Sequence, residues 1–231
     1  MIPDTILRKE DCELVRTPEE FIAWIESVDE QFRTDDRIGE ELIKKFLEEI
    51  RPLGDLARHK YLGRPCLSLR PRVGYQNYDA EIIDTSSGNE RITRVEFTSG
   101  YRDKYLALRE EYLDQHGDVY GTGYVGRTET GQVEVIPEFV DHQTRLNTML
   151  DTIKARVTDK LGKSYEANTI LTIVFDDTIL YESDLPQLQP CFHDIMLSQQ
   201  VLSKFCGVYI LGASGKTLWE FGESVAAHLT R

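Results

Sequence analysis

The hydrophobic and polar positions of the chain repeat with two different periods, and each change of period marks a change between helix and strand. The segment TPEEFIAWIESV carries apolar residues at helical spacing. It begins with Thr17 as a capping residue, Pro18 in the first turn and Glu20 closing a capping box, which predicts a helix. A second helical pattern covers about residues 37–51 and is predicted to stop at Pro52.

Strand patterns follow, separated by helical ones. The predicted order is a strand in PCLSLRPRVGY, a hairpin at 78–100, a helix at 101–116, a glycine-rich hairpin at 117–136, a helix at 138–162, a buried strand in NTILTIVFDD, a helix in PCFHDIMLSQQVLSKF, and strands in GVYILGAS and KTLWEF. This order predicts an α/β fold in which helices flank a mixed central sheet. We expect a single α/β domain over 1–231, with 1–36 as an N-terminal helical extension and 37–231 as the core.

Composition narrows the functional classes. The 231 residues carry a formal charge of −13, which argues against a general nucleic-acid coat protein, because phosphate binding requires clustered Lys and Arg. The four cysteines form no CxxC pair, so neither a zinc knuckle nor a disulfide framework is indicated, and we expect a cytoplasmic protein. No apolar run approaches the ~20 residues of a membrane span, so no membrane association is expected.

Two glycine motifs match known nucleotide-binding patterns only in part. GTGYVG, residues 121–126, follows a helix and enters a strand, whereas a dinucleotide fingerprint follows a strand and opens a helix. GASGKT, residues 212–217, lacks the first glycine of a P-loop, since Ile210 stands there, and a strand follows it. Both segments are therefore predicted to be turns or hairpins.

The hairpin YDAEIIDTSSGNERITRVEFTSG holds the most unusual pattern of charges. If Ile83 faces Ile92 across its turn, Glu81 faces Arg94, and Asp79 faces Glu96. The second pair would be two carboxylates without a neutralising partner, and like charges in such positions destabilise a sheet. Paired carboxylates favour a divalent cation such as Mg²⁺. The alternative is a solvated polar face that tolerates one repulsive pair.

Residues on the neighbouring predicted helices extend this hypothesis. Glu49 falls at the buried edge of the apolar stripe of its helix, so it is either a third metal ligand or a surface acid. Arg102 and Arg109 lie on or beside the buried face of the helix after the hairpin. They are candidates to bind phosphate oxygens, with a structural ion pair to the acids as the alternative.

This arrangement resembles the restriction-endonuclease-like, or PD-(D/E)XK, nuclease superfamily. The matching residues are Glu49 on the leading helix, Asp79 on the first strand of the hairpin, and Glu96-Phe97-Thr98 on the second strand. The resemblance covers roughly residues 37–115 and implies a restriction-endonuclease-like core over 37–231. It also implies that Glu49, Asp79 and Glu96 bind one or two Mg²⁺ or Mn²⁺ ions.

The chain departs from that family at one position, because Thr98 stands where members usually have the lysine that orients or activates the attacking water. Thr98 carries no positive charge, so Arg102 or, better placed, Arg109 is expected to substitute.

Two functions remain open. The chain is either a metal-dependent nuclease that hydrolyses phosphodiester bonds in DNA or RNA, or a catalytically inactive nuclease-fold module that binds a protein partner or nucleic acid. The resemblance also implies dimers or larger complexes.

Overall fold

A computed structural model describes residues 7–32, 40–100, 104–119 and 123–222. Within these residues, six strands form one mixed sheet in the order β1-β2-β3-β6-β7-β8, and two more form a separate hairpin. The strands of the sheet are β1 Leu67–Pro71, β2 Ala80–Asp84, β3 Arg91–Ser99, β6 Thr169–Phe175, β7 Gly207–Gly212 and β8 Leu218–Phe221. The hairpin consists of β4 Gly123–Arg127 and β5 Val133–Pro137. The predicted mixed α/β architecture is confirmed.

The central sheet combines antiparallel and parallel pairs of strands. Strands β1, β2 and β3 form an antiparallel meander, whereas β3, β6 and β7 run parallel. Parallel neighbours require long crossover connections. Here the crossover from β3 to β6 carries α5 Lys104–His116, the β4–β5 hairpin and α6 His142–Leu161, and the one from β6 to β7 carries α7 Leu185–Ser198. β8 pairs antiparallel with β7.

Helices cover both faces of the sheet and form two cores. On one face α2 Pro18–Phe32 and α4 Arg51–Lys60 pack with alternate strand residues such as Val95 and Phe97. On the other face α6 and α7 pack with Leu171, Ile173 and Phe175. Because side chains alternate along a strand, Glu96 and Thr98 of β3 belong to the α6 side of the sheet.

The start of α2 follows the predicted capping box. The backbone N–H of Thr17 donates to Glu20 Oε2 at 3.0 Å, and the backbone N–H of Glu20 donates to Thr17 Oγ1 at 3.3 Å. Each bond satisfies a donor that would otherwise lack a partner at the helix end. A shorter helix, α1 Lys9–Cys12, precedes it.

The prediction that the next helix stops at Pro52 is wrong. Helix α3 Glu40–Lys45 continues through a π-helical turn, Phe46–Ile50, directly into α4, whose first turn contains Pro52. A proline at the start of a helix lacks only an N–H that would have no partner there. The π turn shifts the hydrogen-bonding register, so the helical path continues past the proline. Such turns occur often at functional sites, and this one contains Glu49.

The described residues of both glycine motifs adopt the predicted turn and hairpin structures, and residues 121–122 lie outside the described residues. Residues 123–126 of GTGYVG lie in β4, which follows α5. GASGKT joins β7 to β8, and Gly215 there has a φ of 69°, a conformation that favours glycine. No helix of the described residues combines the length and the apolar character that crossing a membrane requires.

Candidate functional site

The strand register brings the predicted acidic pair together. Ile83 pairs with Ile92, Glu81 with Arg94 and Ala80 with Val95, as the hairpin hypothesis requires. Asp79, the residue immediately before β2, therefore lies opposite Glu96 of β3. The backbone N–H of Asp79 donates to the carbonyl of Val95 at 2.8 Å, which links the two strands at this point although the bond is one residue out of the regular ladder.

The carboxylate of Asp79 occupies a gap between the two strands. Its Oδ2 accepts a hydrogen bond from the backbone N–H of Phe97 at 2.7 Å. This side chain replaces the main-chain acceptor that a longer β2 would offer to β3. The carboxylate is thus fixed by the sheet itself, and groups from both faces of the sheet can approach it.

Glu49 reaches Asp79 from the π-helical turn. Glu49 and Asp79 lie close enough for each carboxyl group to shift the pKa of the other, and Lys45 Nζ donates to both oxygens of Glu49 at 2.9 and 3.1 Å. Lys45 and Glu49 lie one helical turn apart, at positions i and i+4. The structure therefore places Glu49 at the site rather than on the outer surface, and it adds a cation that the sequence pattern did not single out.

Glu96 has its own cation, so the expectation of an unneutralised acidic pair is wrong. Lys160, in the last turn of α6, donates to Glu96 Oε1, and the hydroxyl of Tyr165 donates to the same oxygen at 3.2 Å. The side chains of Lys160 and Glu96 are only 13% and 8% exposed. Water screens such a pair weakly, so removing either partner would leave a buried charge without compensation.

The charges at the site do not cancel. Three carboxylates (Glu49, Asp79 and Glu96) face two ammonium groups (Lys45 and Lys160), which leaves one excess negative charge if all are ionised. Burial raises the pKa of Asp79 well above its usual range, and the charges of Glu49 and Glu96 raise it further. Burial also raises the pKa of Glu49, although Lys45 and Asp79 oppose that shift. A proton held near Asp79 and Glu49 relieves the excess charge.

The metal-binding hypothesis requires a test of fit against these contacts. Among the described residues, no three His, Cys, Asp or Glu side chains are arranged as they stand to hold a metal ion. The donor chemistry nevertheless fits Mg²⁺ or Mn²⁺, which prefer carboxylate oxygens. A cation would replace the shared proton and displace a lysine, since carboxyl ligands bind metal in their deprotonated form.

Arg109 does not supply the positive charge seen at the acids. The guanidinium of Arg109 donates to the backbone carbonyl of Gly123 in β4, and α5 packs chiefly on the β4–β5 hairpin. No described hydrogen bond or ion pair joins Arg109 to Glu49, Asp79 or Glu96. Arg102 lies outside the described residues. Thr98 is 9% exposed and belongs to the same face of β3 as Glu96, two residues further along.

A third cation that sequence reasoning missed lies in the same row of the sheet. Arg72 follows β1, and its backbone N–H donates to the carbonyl of Asp79 at 2.7 Å, so Arg72, Asp79 and Glu96 stand side by side across three strands. The Nε of Arg72 is buried and has no hydrogen-bond partner among the described residues. The charge of Arg72 acts on Glu81, whose pKa it helps to lower, so the described contacts assign Arg72 to Glu81 rather than to the three acids.

One pattern in the sequence could have revealed Lys160. The buried stripe of α6 consists of Leu146, Met149, Ile153 and Val157. Its next position at helical spacing is 160, so a lysine there points toward the sheet rather than into solvent. Lys45 and Arg72 carried no comparable signal, because their roles depend on a π turn and on the end of β1.

The chain was compared with protein-family models, with curated proteins and with solved structures, and none of the three comparisons found a match.

Proposed function

We propose that the protein is a metal-dependent nuclease that hydrolyses phosphodiester bonds in DNA or RNA. The observation that carries the proposal is the convergence of Glu49, Asp79 and Glu96 from three separate elements, with Lys160 bound to Glu96. Acids that crowd together at a cost in stability favour a function that uses them.

The order of elements supports the same proposal. A helix with Glu49 precedes an antiparallel meander, and a crossover with α6 then leads to a strand parallel to β3. The resemblance to the restriction-endonuclease-like superfamily implies this succession, with the acids at these positions. Lys160 would take the role of the lysine that Thr98 replaces, because it brings an ammonium group to the acid on the same strand.

Each residue of the site has a distinct role in the proposal. Glu49, Asp79 and Glu96 would hold Mg²⁺ or Mn²⁺, and such a cation supplies charge stabilisation to the phosphate and acidifies water. Lys160 would orient the attacking water and stabilise the negative charge that develops.

One observation favours the alternative of a catalytically inactive nuclease-fold module. Lys45 and Lys160 already pair with Glu49 and Glu96, so two of the three acids are neutralised without a metal. Such a cluster can persist as a structural ion-pair network. In that case the chain would bind nucleic acid, a protein partner or a second copy of itself without cleaving anything.

A cleavage assay with matched variants distinguishes the two functions. We expect the wild type to cut fluorescently labelled DNA or RNA oligonucleotides with Mn²⁺ or Mg²⁺ and to lose that activity in EDTA. Asp79→Asn should be inactive. Asp84→Asn is the matched control, because it makes the same chemical change at a residue that is also buried. Asp84 lies at the other end of β2, about 16 Å from Asp79.

The results separate cleanly. Cleavage that depends on metal and on Asp79 but not on Asp84 supports the nuclease. Wild-type protein that binds Mn²⁺ and cleaves no DNA or RNA, single- or double-stranded, rejects it in favour of the inactive module. Equal cleavage by the wild type and Asp79→Asn would indicate a contaminating nuclease and would also reject the proposed site.

A further inference from the structure

Tyr165 contacts the acidic site from the loop that follows α6. Its hydroxyl donates to Glu96 Oε1 at 3.2 Å, and Lys160 donates to the same oxygen. The two donors differ in how they respond to a metal ion. A cation repels the ammonium group of Lys160, whereas the phenol is neutral and can keep its hydrogen bond while a cation lies beside the carboxylate.

The phenol of Tyr165 stays protonated near neutral pH. An unperturbed tyrosine titrates at a pKa of about 10. Burial raises the pKa of Tyr165 above that value, and the negative charges of Glu96 and Asp79 raise it further. The hydroxyl therefore remains a donor, and it can hold the Glu96 carboxylate whether or not Lys160 is bound to it.

The loop that carries Tyr165 is tied to the strands of the site on both sides of the tyrosine. On one side, Asn77 Nδ2, in the connection between β1 and β2, donates to the carbonyl of Ser164 at 2.7 Å. On the other side, Arg94 of β3 forms an ion pair with Glu166 at 2.8 Å. Both chain neighbours of Tyr165 are therefore bound to the sheet, which fixes the tyrosine relative to the acids.

The ring of Tyr165 is held independently of its hydroxyl. It packs on Phe205, with the two ring centroids 5.0 Å apart, and Lys204 Nζ lies 5.7 Å from the centroid of the tyrosine ring. Phe205 belongs to the core on the α6 side of the sheet. A phenylalanine at position 165 would keep these contacts, so the hydroxyl can be removed with little effect on the packing of the ring.

We infer that Tyr165 is a positioning residue of the proposed metal site, which holds Glu96 in place when a divalent cation releases Lys160. The inference rests on the proposed function for the identity of the site. It adds an exchange of partners, in which Tyr165 keeps the carboxylate oriented and the freed ammonium group of Lys160 becomes available to the attacking water. Removing a hydrogen-bonding partner of a metal ligand typically costs about 10- to 100-fold in metal affinity or activity.

Mn²⁺ binding tests the inference without cleavage. Electron paramagnetic resonance measures the free Mn²⁺ as the full chain is titrated, which gives a Kd for each variant. We expect Tyr165→Phe to weaken Mn²⁺ binding about 10- to 100-fold. In EDTA the melting temperature of this variant should fall less than that of Lys160→Met, because the ion pair of Glu96 remains and the ring keeps its packing.

Tyr78→Phe is the matched control. The Tyr78 hydroxyl donates to Glu81 Oε1 at 2.8 Å, so this variant also removes a phenol hydroxyl that is bound to a glutamate. Glu81 accepts from Arg70 and is not one of the three acids of the site. Tyr78→Phe should therefore bind Mn²⁺ within about 3-fold of the wild type.

Lys160→Met tests the exchange of partners at Glu96. This variant removes the ammonium group that competes with the cation, and the Tyr165 hydroxyl remains. At a temperature where circular dichroism shows both proteins folded, it should bind Mn²⁺ at least as tightly as the wild type. Weaker binding would mean that Lys160 helps to assemble the metal site instead of leaving it, and would overturn the inference.

The outcomes also separate this inference from the nuclease proposal. Equal Mn²⁺ affinity of the wild type and Tyr165→Phe, or an equal loss in Tyr78→Phe, overturns it even if the protein cleaves nucleic acid. A loss confined to Tyr165→Phe supports it even if the protein cleaves nothing, and the site would then hold metal in a module without nuclease activity. Wild-type protein that binds no Mn²⁺ overturns both.

Discussion

Replacing Lys160 by methionine should destabilise the protein strongly. Methionine keeps most of the length and the apolar stem of lysine but removes the ammonium group, which leaves the Glu96 carboxylate 8% exposed, with the Tyr165 hydroxyl as its remaining described partner. Removing one partner of a buried ion pair costs about 3–5 kcal/mol. For a chain of this size each kcal/mol lowers the melting temperature by about 2–4 °C, so we expect a decrease of roughly 6–20 °C.

Thermal and urea unfolding in EDTA measure this effect, with two further variants as controls. Lys154→Met makes the same change on an exposed position of α6 and should alter the free energy of unfolding by less than about 0.5 kcal/mol. The double variant Lys160→Met with Glu96→Gln should regain most of the lost stability, because it leaves no buried charge. If Lys160→Met is as stable as Lys154→Met, Lys160 does not neutralise Glu96, and its proposed role at the site is refuted.

The other predictions concern the acids and Arg109. In EDTA, the free energy of unfolding of the wild type should fall relative to Asp79→Asn as the pH rises above the unfolded pKa of aspartate, near 3.8. Because burial raises the folded-state pKa of Asp79, the stability that its protonated carboxyl contributes is complete below its unfolded pKa, near 3.8, and is lost as the pH rises through its folded pKa. Free energies of unfolding from urea titrations that change equally with pH in the two proteins would contradict this. Mg²⁺ or Mn²⁺ should raise the melting temperature of the wild type and of Asp84→Asn, while Asp79→Asn should lose most of the shift, because a ligand that binds only the folded state stabilises it. An equal response of all three in scanning fluorimetry would exclude the carboxylate site. Arg109→Ala should retain both the metal-induced shift and cleavage, since its guanidinium binds Gly123; loss of cleavage alone would return Arg109 to the site.

Local patterns in the sequence predicted the parts of the fold that local physics determines. The alternation in the hairpin predicted which residues share a face of the sheet. It did not by itself define the register, because a slip of two residues keeps the faces, but the assumed pairing of Ile83 with Ile92 is the one that the structure has. The capping box defined the start of α2. The stop at Pro52 was mispredicted, since a π turn within the helix depends on tertiary packing and has no clear sequence signature.

The cations of the site show the limit of this reasoning. The sequence predicted which acids come together, because they lie on neighbouring strands and on the helix before them. It assigned the positive charge to Arg109, on the helix nearest in sequence, whereas the structure supplies it from Lys160, 64 residues after Glu96. The crossover that carries α6 back over the sheet determines this contact, and a single sequence offers only the apolar stripe of α6 as a clue.

The most direct test of the central claim is the anomalous scattering of manganese in a crystal of the protein soaked in Mn²⁺ without EDTA. The account predicts a peak within coordination distance of the Asp79 carboxylate and of Glu49 or Glu96, with Lys45 or Lys160 moved away from its acid. The same soak of Asp79→Asn should show no peak there. A wild-type crystal with saturating Mn²⁺, intact lysine pairs and no anomalous density at these carboxylates would contradict the account.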